Sequence, residues 1–118
     1  SMIERIYQEH GEEGMVCCYA KAQSMSAATN QAVLMMDDQK VIICFMGFFS
    51  NNVVHKVVFD KRELSDSKLS TGLGLDEKWH FFARVQKWRC RSMIKIMPLG
   101  SMQNEFLNYL GASDFLTD

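Results

Sequence analysis

The chain has 118 residues, of which 47% are hydrophobic, and a formal net charge of -1 at pH 7. This length is typical of a single domain, and this hydrophobic fraction excludes an intrinsically disordered chain. The near-zero net charge excludes binding to nucleic acid or to a membrane through a global electrostatic field. Any binding of that kind requires a local patch of charge.

The first predicted element is a short amphipathic helix over residues 2–10. Ile3, Ile6, Tyr7 and His10 follow one another at helical spacing and place their side chains on one face. A helix this short is not stable alone in water, so we expect it to dock on the rest of the protein.

The pattern then changes to that of a β protein with about seven strands. The clearest feature is a hairpin, because the apolar runs 32–36 and 41–46 flank the polar turn 37–40. Lys87-Trp88-Arg89 is predicted to form a connection between the last two strands. The other predicted strands are 15–20, 53–59, 67–73, 79–85 and 92–97.

A second helix is predicted at the C-terminal end of the domain. Ser101 is the predicted N-cap, and Gly111 stands at the stop position. Phe106 and Leu110 lie on one face of this helix, which we expect to close an open side of the sheet. The sequence thus divides into a lead-in over 1–13, one domain over 14–111 and a tail over 112–118.

This order of seven strands and a closing helix resembles the pleckstrin-homology-like superfold, and most of all its small bacterial PH-like and GRAM-type members. Residues 34–42, 79–82 and 103–110 carry the resemblance. It implies a mainly β (α+β) fold, with about seven antiparallel strands in a sandwich or barrel capped by the C-terminal helix. A different seven-stranded barrel or an α+β roll would have a similar pattern.

Many members of that superfold bind phosphoinositides through basic residues in the loop between the first two strands. Here that loop is 24–30, which contains no lysine or arginine, and only Lys21 lies near it. Phosphoinositide binding of the usual kind is therefore not expected. Other members are protein-binding platforms, and the fold does not imply one function.

Basic residues are concentrated between positions 78 and 95, with no acidic residue among them. A basic hairpin with an aromatic side chain, Trp88, suits contact with an anionic membrane or a phosphate backbone. The alternative is a solvated sheet face whose charges prevent aggregation through the sheet edge. The candidate anion-binding residues are Lys78, Arg84, Lys87, Arg89, Arg91 and Lys95.

A second candidate surface is apolar. Phe48 and Phe49 precede a Ser-Asn-Asn turn, and two consecutive aromatic side chains cannot both face the same core. With Trp88, they are candidates for binding a partner or for self-association as a homodimer. The nine methionines fit either an adaptable partner surface or a soft core.

No catalytic, metal or cofactor site is predicted. The four cysteines and three histidines show no zinc spacing, and the cysteines lie in apolar segments where thiols are usually unreactive. Paired carboxylates occur at predicted turns, where they are usually solvated. A small enzyme or ligand carrier with a pocket inside the barrel stays open as a third class.

The sequence therefore predicts a non-enzymatic interaction module that binds a partner protein or peptide, or associates with itself. The alternative is a peripheral binder of an anionic membrane or other anionic ligand through the basic 78–95 hairpin. Nucleic acid is the least favoured partner. Free cysteines, and charged residues directly after Met2 in place of a secretory signal, predict a cytoplasmic protein.

Overall fold

Two α-helices and seven strands make up the computed structural model, which describes residues 2–24, 30–47, 50–71, 76–93 and 100–116. The mainly β, α+β fold predicted from the sequence is confirmed, with one helix at each end of the domain. The elements are α1 (Met2–His10), β1 (Val16–Ser24), β2 (Asn30–Met36), β3 (Lys40–Met46), β4 (Val53–Asp60), a 3₁₀ helix (Lys61–Glu63), β5 (Ser65–Thr71), β6 (Asp76–Ala83), β7 (Gln86–Met93) and α2 (Gly100–Gly111).

All seven strands belong to one antiparallel sheet with the order β4-β3-β2-β1-β7-β6-β5. Each neighbouring pair is consecutive in the chain except β1 and β7. Among the described residues, these two strands pair along the C-terminal half of β1, from Lys21 opposite Arg91 to Ser24 opposite Trp88. Strand β1 therefore joins the two halves of the sheet.

The sheet curves so that its two halves enclose one core. Phe59 on β4 lies 5.5 Å from Phe81 on β6 and 5.0 Å from Trp88 on β7, measured between ring centroids. Strand β4 is at one edge of the sheet and β6 is next to the other edge. Helix α2 adds the buried side chains of Phe106 and Leu110 to the same core, as its amphipathic pattern predicts.

A second apolar cluster lies on the opposite face of β2 and β3. Successive side chains of a strand point to opposite faces, so Val33 and Met35 face away from the core that Leu34 enters. Ile3 and Ile6 of α1 are buried against this outer cluster. The docking expected of the N-terminal helix is thereby confirmed.

Part of the predicted tail also packs on the domain. Phe115 is fully buried in the inner core, and the Ser113 hydroxyl donates a hydrogen bond of 2.6 Å to the Leu110 carbonyl. The chain therefore turns back on the domain after α2 ends.

Two local predictions are wrong. Lys87-Trp88-Arg89 is not a connection, because it lies inside β7 and the β6–β7 turn is formed by Arg84 and Val85. Ser101 is not the N-cap, since α2 already begins at Gly100. Only the beginning of the predicted strand 92–97 can be compared, because β7 ends at Met93 and residues 94–99 lie outside the described part of the chain.

Candidate functional site

Basic side chains are collected on the outer face of strands β1, β7, β6 and β5. Residues directly opposite one another in an antiparallel pair share a face of the sheet. Two rows of outward side chains therefore cross the four strands. The first row is Lys21, Arg91, Lys78 and Ser70. The second row is Gln23, Arg89, His80 and Lys68. We call this surface the basic face, which comprises Lys21, Lys68, Lys78, His80, Lys87, Arg89 and Arg91.

The alternation of β7 places its cations on this face. Lys87, Arg89 and Arg91 point outwards, while Trp88 and Cys90 between them are buried in the core. Neighbouring strands are about 5 Å apart, and residues two apart along a strand are about 7 Å apart. Most of the outward positions on this regular grid therefore carry a positive charge.

A shallow cavity of about 430 Å³ opens between these side chains. Trp79 and Cys90 line it together with Gln23, Ser70 and most of the basic face, and no acidic residue is among the described residues that line it. Ser70 and Gln23 add polar groups that can form hydrogen bonds. The cavity therefore presents positive charge and neutral polar groups to the same small volume.

The charges of the basic face are mostly left unpaired by the fold. Within the described residues, the ion pairs join other groups, and Lys21, Lys68, Lys78, Lys87 and Arg89 form none. Like charges this close repel one another, and a bound anion would relieve that repulsion.

His80 lies among these cations in an environment that disfavours its charged form. Partial burial lowers the pKa of His80, and the nearby cations Lys87, Lys68 and Arg89 lower it further, while Asp66 acts in the opposite direction. At pH 7 the imidazole is therefore mostly uncharged, and this form offers one hydrogen-bond donor and one acceptor.

Arg84 does not belong to the basic face, although its position in the basic 78–95 segment makes it a predicted anion-binding residue. Its Nε and Nη2 donate to the Glu63 carboxylate at 3.0 and 3.3 Å, and Nη2 also donates to the Val58 carbonyl at 2.7 Å. The guanidinium carbon lies 4.7 Å from the centroid of the Phe59 ring. Arg84 thus fastens the β6–β7 turn to β4 and the 3₁₀ helix, which gives it a structural role.

We expect Arg84→Ala to lower the free energy of unfolding by about 1–2 kcal/mol, because the variant loses these charged hydrogen bonds. The loss is no larger because both partners are partly exposed and solvent weakens their interaction. The hydrogen bond from Arg84 lowers the pKa of Glu63 below its usual value of 4.5. A lowered pKa stabilises the fold above the unfolded value, and this stabilisation is lost as the pH falls through the folded value. Urea unfolding at pH 7 and pH 3 should therefore show a smaller difference between wild type and Arg84→Ala in acid.

The matched control for this variant is Arg89→Ala, which removes an exposed arginine that no described carboxylate pairs. Its free energy of unfolding should stay within about 0.5 kcal/mol of wild type. A deficit of Arg84→Ala that is the same at both pH values would contradict the Arg84–Glu63 pair.

The structure also removes Trp88 from the candidate partner-binding residues. Its side chain is 8% exposed, and its indole N–H donates to the Ala83 carbonyl at 3.1 Å. A ring buried among Phe59 and Phe81 cannot contact a partner without unfolding the core. Three further predicted site residues, Phe48, Phe49 and Lys95, lie outside the described part of the chain.

Three members of the basic face, Lys21, Lys68 and His80, are not among the anion-binding residues predicted from the sequence, although His80 lies within the basic 78–95 segment. Lys21 lies on β1 and Lys68 on β5, far along the chain from the basic 78–95 segment. Each alternates with inward-facing residues, which is the local signal of an outward side chain. Their place beside β7 and β6 depends on strand pairing, which that signal does not reveal.

Three of the four cysteine thiols, those of Cys17, Cys44 and Cys90, are not poised for nucleophilic chemistry. Burial raises the pKa of Cys44 to about 11 and that of Cys90 to about 12, and burial together with Glu105 raises the pKa of Cys17. All three thiols are protonated at neutral pH and therefore poor nucleophiles. Among the described residues, no group of three histidine, cysteine or acidic side chains is placed to hold a metal ion.

Neither of the described helices has the length and apolarity needed to cross a bilayer. No protein-family model matches the chain, and no curated protein sequence matches it.

Proposed function

We propose that this chain is a non-enzymatic binding module that holds a phosphate-bearing ligand on the basic face. The observation that carries the proposal is a cluster of cations on four adjacent strands. Five of these cations form no ion pair with a described residue. An overall charge of -1 makes this local excess of positive charge a specific feature of one surface.

The geometry supports a ligand with more than one anionic group. Strands lie about 5 Å apart, and outward residues follow one another about every 7 Å along a strand, so several cations are close enough to contact two or more phosphates at once. Arg89 and Arg91 offer planar guanidinium groups suited to phosphate oxygens, and Lys78 adds a compact charge. Neutral His80 and Ser70 supply hydrogen bonds without adding to the repulsion.

The first-choice prediction, a protein partner or a homodimer bound through exposed aromatics, has less support. Of its three residues, Trp88 is buried, and Phe48 and Phe49 lie outside the described residues. Protein binding, dimerisation, a cytoplasmic location and the resemblance to PH-like domains stay predictions. The alternative, an anionic ligand on the 78–95 segment, is the one that the basic face supports.

Calorimetric titration with inorganic triphosphate at low ionic strength tests the proposal. We expect binding that weakens steeply with added salt. Arg89→Glu reverses a charge at the centre of the face, and we expect it to weaken binding by about tenfold or more, since each unit charge at 5 Å contributes on the order of 1 kcal/mol even in water.

Lys56→Glu is the control for that titration. Lys56 is an exposed cation on β4, outside the basic face, so the same change of charge should alter triphosphate affinity by no more than about twofold. Equal losses in both variants would indicate a response to net charge alone. Such a result, or the absence of triphosphate binding by the wild type, would show that the basic face is not a binding site.

A further inference from the structure

The tip of the β6–β7 hairpin holds an apolar side chain on a strained backbone. Arg84 and Val85 have φ angles of 52° and 63°, and positive φ at both central residues of a two-residue turn normally selects Asn-Gly. A β-branched residue in this region is a conformational outlier. The Val85 side chain is nevertheless fully exposed, at 103%. Packing in the fold therefore gives no reason for a valine here.

A second exposed apolar side chain adjoins this tip. Phe82 is 38% exposed, and it lines a shallow surface depression together with Val85. Phe82 is also paired with Lys87 across the β6–β7 ladder, and the Lys87 Nζ atom lies 5.9 Å from the centroid of its ring. The apolar tip, Val85 and Phe82, is thus continuous with the basic face.

Two carboxylates also line the depression. Glu63 is neutralised by its ion pair with Arg84, with 3.0 Å between Nε and Oε1. Asp66 is exposed and forms no ion pair with another described residue. Asp66 is therefore a negative charge beside the tip that no described cation pairs. On the neighbouring face, Lys68, Lys87 and Arg89 carry positive charges that no described carboxylate pairs.

We propose that the apolar tip enters the interfacial region of an anionic bilayer while the basic face binds the phosphates of the lipid headgroups. The inference rests on the proposed function and names a membrane lipid as the source of the phosphate. Stable attachment to a membrane generally needs two signals, and an apolar insertion beside a polybasic surface supplies both.

The apolar tip favours a membrane over a free phosphorylated molecule. A soluble polyphosphate gains nothing from an exposed valine outside the basic face, whereas a bilayer buries it. Stacking of a nucleobase is disfavoured because Lys87 already lies over the Phe82 ring.

The test uses the whole chain and sedimentation with vesicles of phosphatidylcholine containing about one-third phosphatidylserine. The variant is Val85→Asn, since asparagine tolerates positive φ but is polar. We expect this variant to melt at a higher temperature than wild type and yet to bind the vesicles about fivefold more weakly, because the valine no longer leaves water. Its affinity for inorganic triphosphate should stay within about twofold of wild type.

Val54→Asn is the matched control, because Val54 is an exposed valine (67%) on β4 rather than on the hairpin tip. Its vesicle binding should equal that of wild type. Unchanged vesicle binding by Val85→Asn, or wild type that binds triphosphate but no anionic vesicles, overturns the inference and leaves the proposed function in place. Wild type that binds neither overturns both.

Discussion

Trp88→Ala is expected to lower the free energy of unfolding by about 3–5 kcal/mol, which is the usual cost of removing a large aromatic side chain from a core. The indole lies 5.0 Å from Phe59 and 6.5 Å from Phe81 between ring centroids. It joins β7 to β4, two strands that are not neighbours in the sheet. Urea unfolding followed by circular dichroism measures the loss.

Trp88→Phe is the control for this variant. It keeps an aromatic ring in the core but removes the hydrogen bond from the indole N–H to the Ala83 carbonyl. We expect a smaller loss of about 1–2 kcal/mol. A surface tryptophan behaves differently, because truncating it would cost less than about 1 kcal/mol. That outcome for Trp88→Ala would restore Trp88 as a candidate partner contact.

The elements with strong local signals were predictable from the sequence. Residues 37–40 form the turn of the β2–β3 hairpin, where the Asp37 carboxylate accepts hydrogen bonds of 2.9 Å from the backbone N–H groups of both Gln39 and Lys40. Aspartate in a polar break between two apolar runs predicts this geometry. Helix α1 was predictable for the same kind of reason, since the spacing of Ile3 and Ile6 defines its buried face.

The β6–β7 turn was not predictable, because Arg84 and Val85 are residues that such turns normally avoid. Without a turn signal, the sequence predicts the connection three residues later, at the charged residues around Trp88. The misplaced turn matters for function, because it predicts a surface position for the Trp88 ring, which is buried in the structure. Once the turn is at Arg84 and Val85, strict alternation along β7 places Trp88 inside and Arg89 outside.

The candidate site was predictable only where it lies on one segment of the chain. Lys78, Lys87, Arg89 and Arg91 are grouped in the sequence as they are in space. Lys21 joins them through the pairing of the first strand with the last, a contact between distant parts of the chain that no local pattern encodes. Arg84 is part of the same basic segment of the sequence but not of the basic face. Its guanidinium group is bound by the Glu63 carboxylate and the Val58 carbonyl instead.

A further prediction concerns Gln103, a fully buried polar side chain on α2. Its Oε1 accepts from the Tyr19 N–H at 2.7 Å, and its Nε2 donates to the Tyr19 carbonyl at 2.8 Å. Among the described residues, the pairing of β7 with β1 begins at Lys21, and the Gln103 amide binds the Tyr19 backbone two residues before that point. We expect Gln103→Leu to lower the free energy of unfolding by about 2–4 kcal/mol, because the Tyr19 backbone groups lose their partner.

Gln103→Glu separates this hydrogen-bonding role from simple packing. A carboxylate can accept a hydrogen bond from the Tyr19 N–H, but it cannot donate one to the Tyr19 carbonyl and repels that oxygen. A protonated carboxyl group can accept the first hydrogen bond and donate the second. Burial raises the pKa of such a carboxyl group, so the deficit relative to wild type should shrink as the pH falls through this raised value. The deficit of Gln103→Leu should be independent of pH.

Hydrogen exchange at the Tyr19 amide gives the direct measure of the Gln103 contact. Protection of that amide should fall in Gln103→Leu and stay unchanged in Asn104→Leu, the control on the exposed face of the same helix. Unaltered Tyr19 protection in Gln103→Leu would mean that α2 is held to β1 by its apolar face alone. The buried side chains of Phe106 and Leu110 would then be sufficient to hold the helix in place.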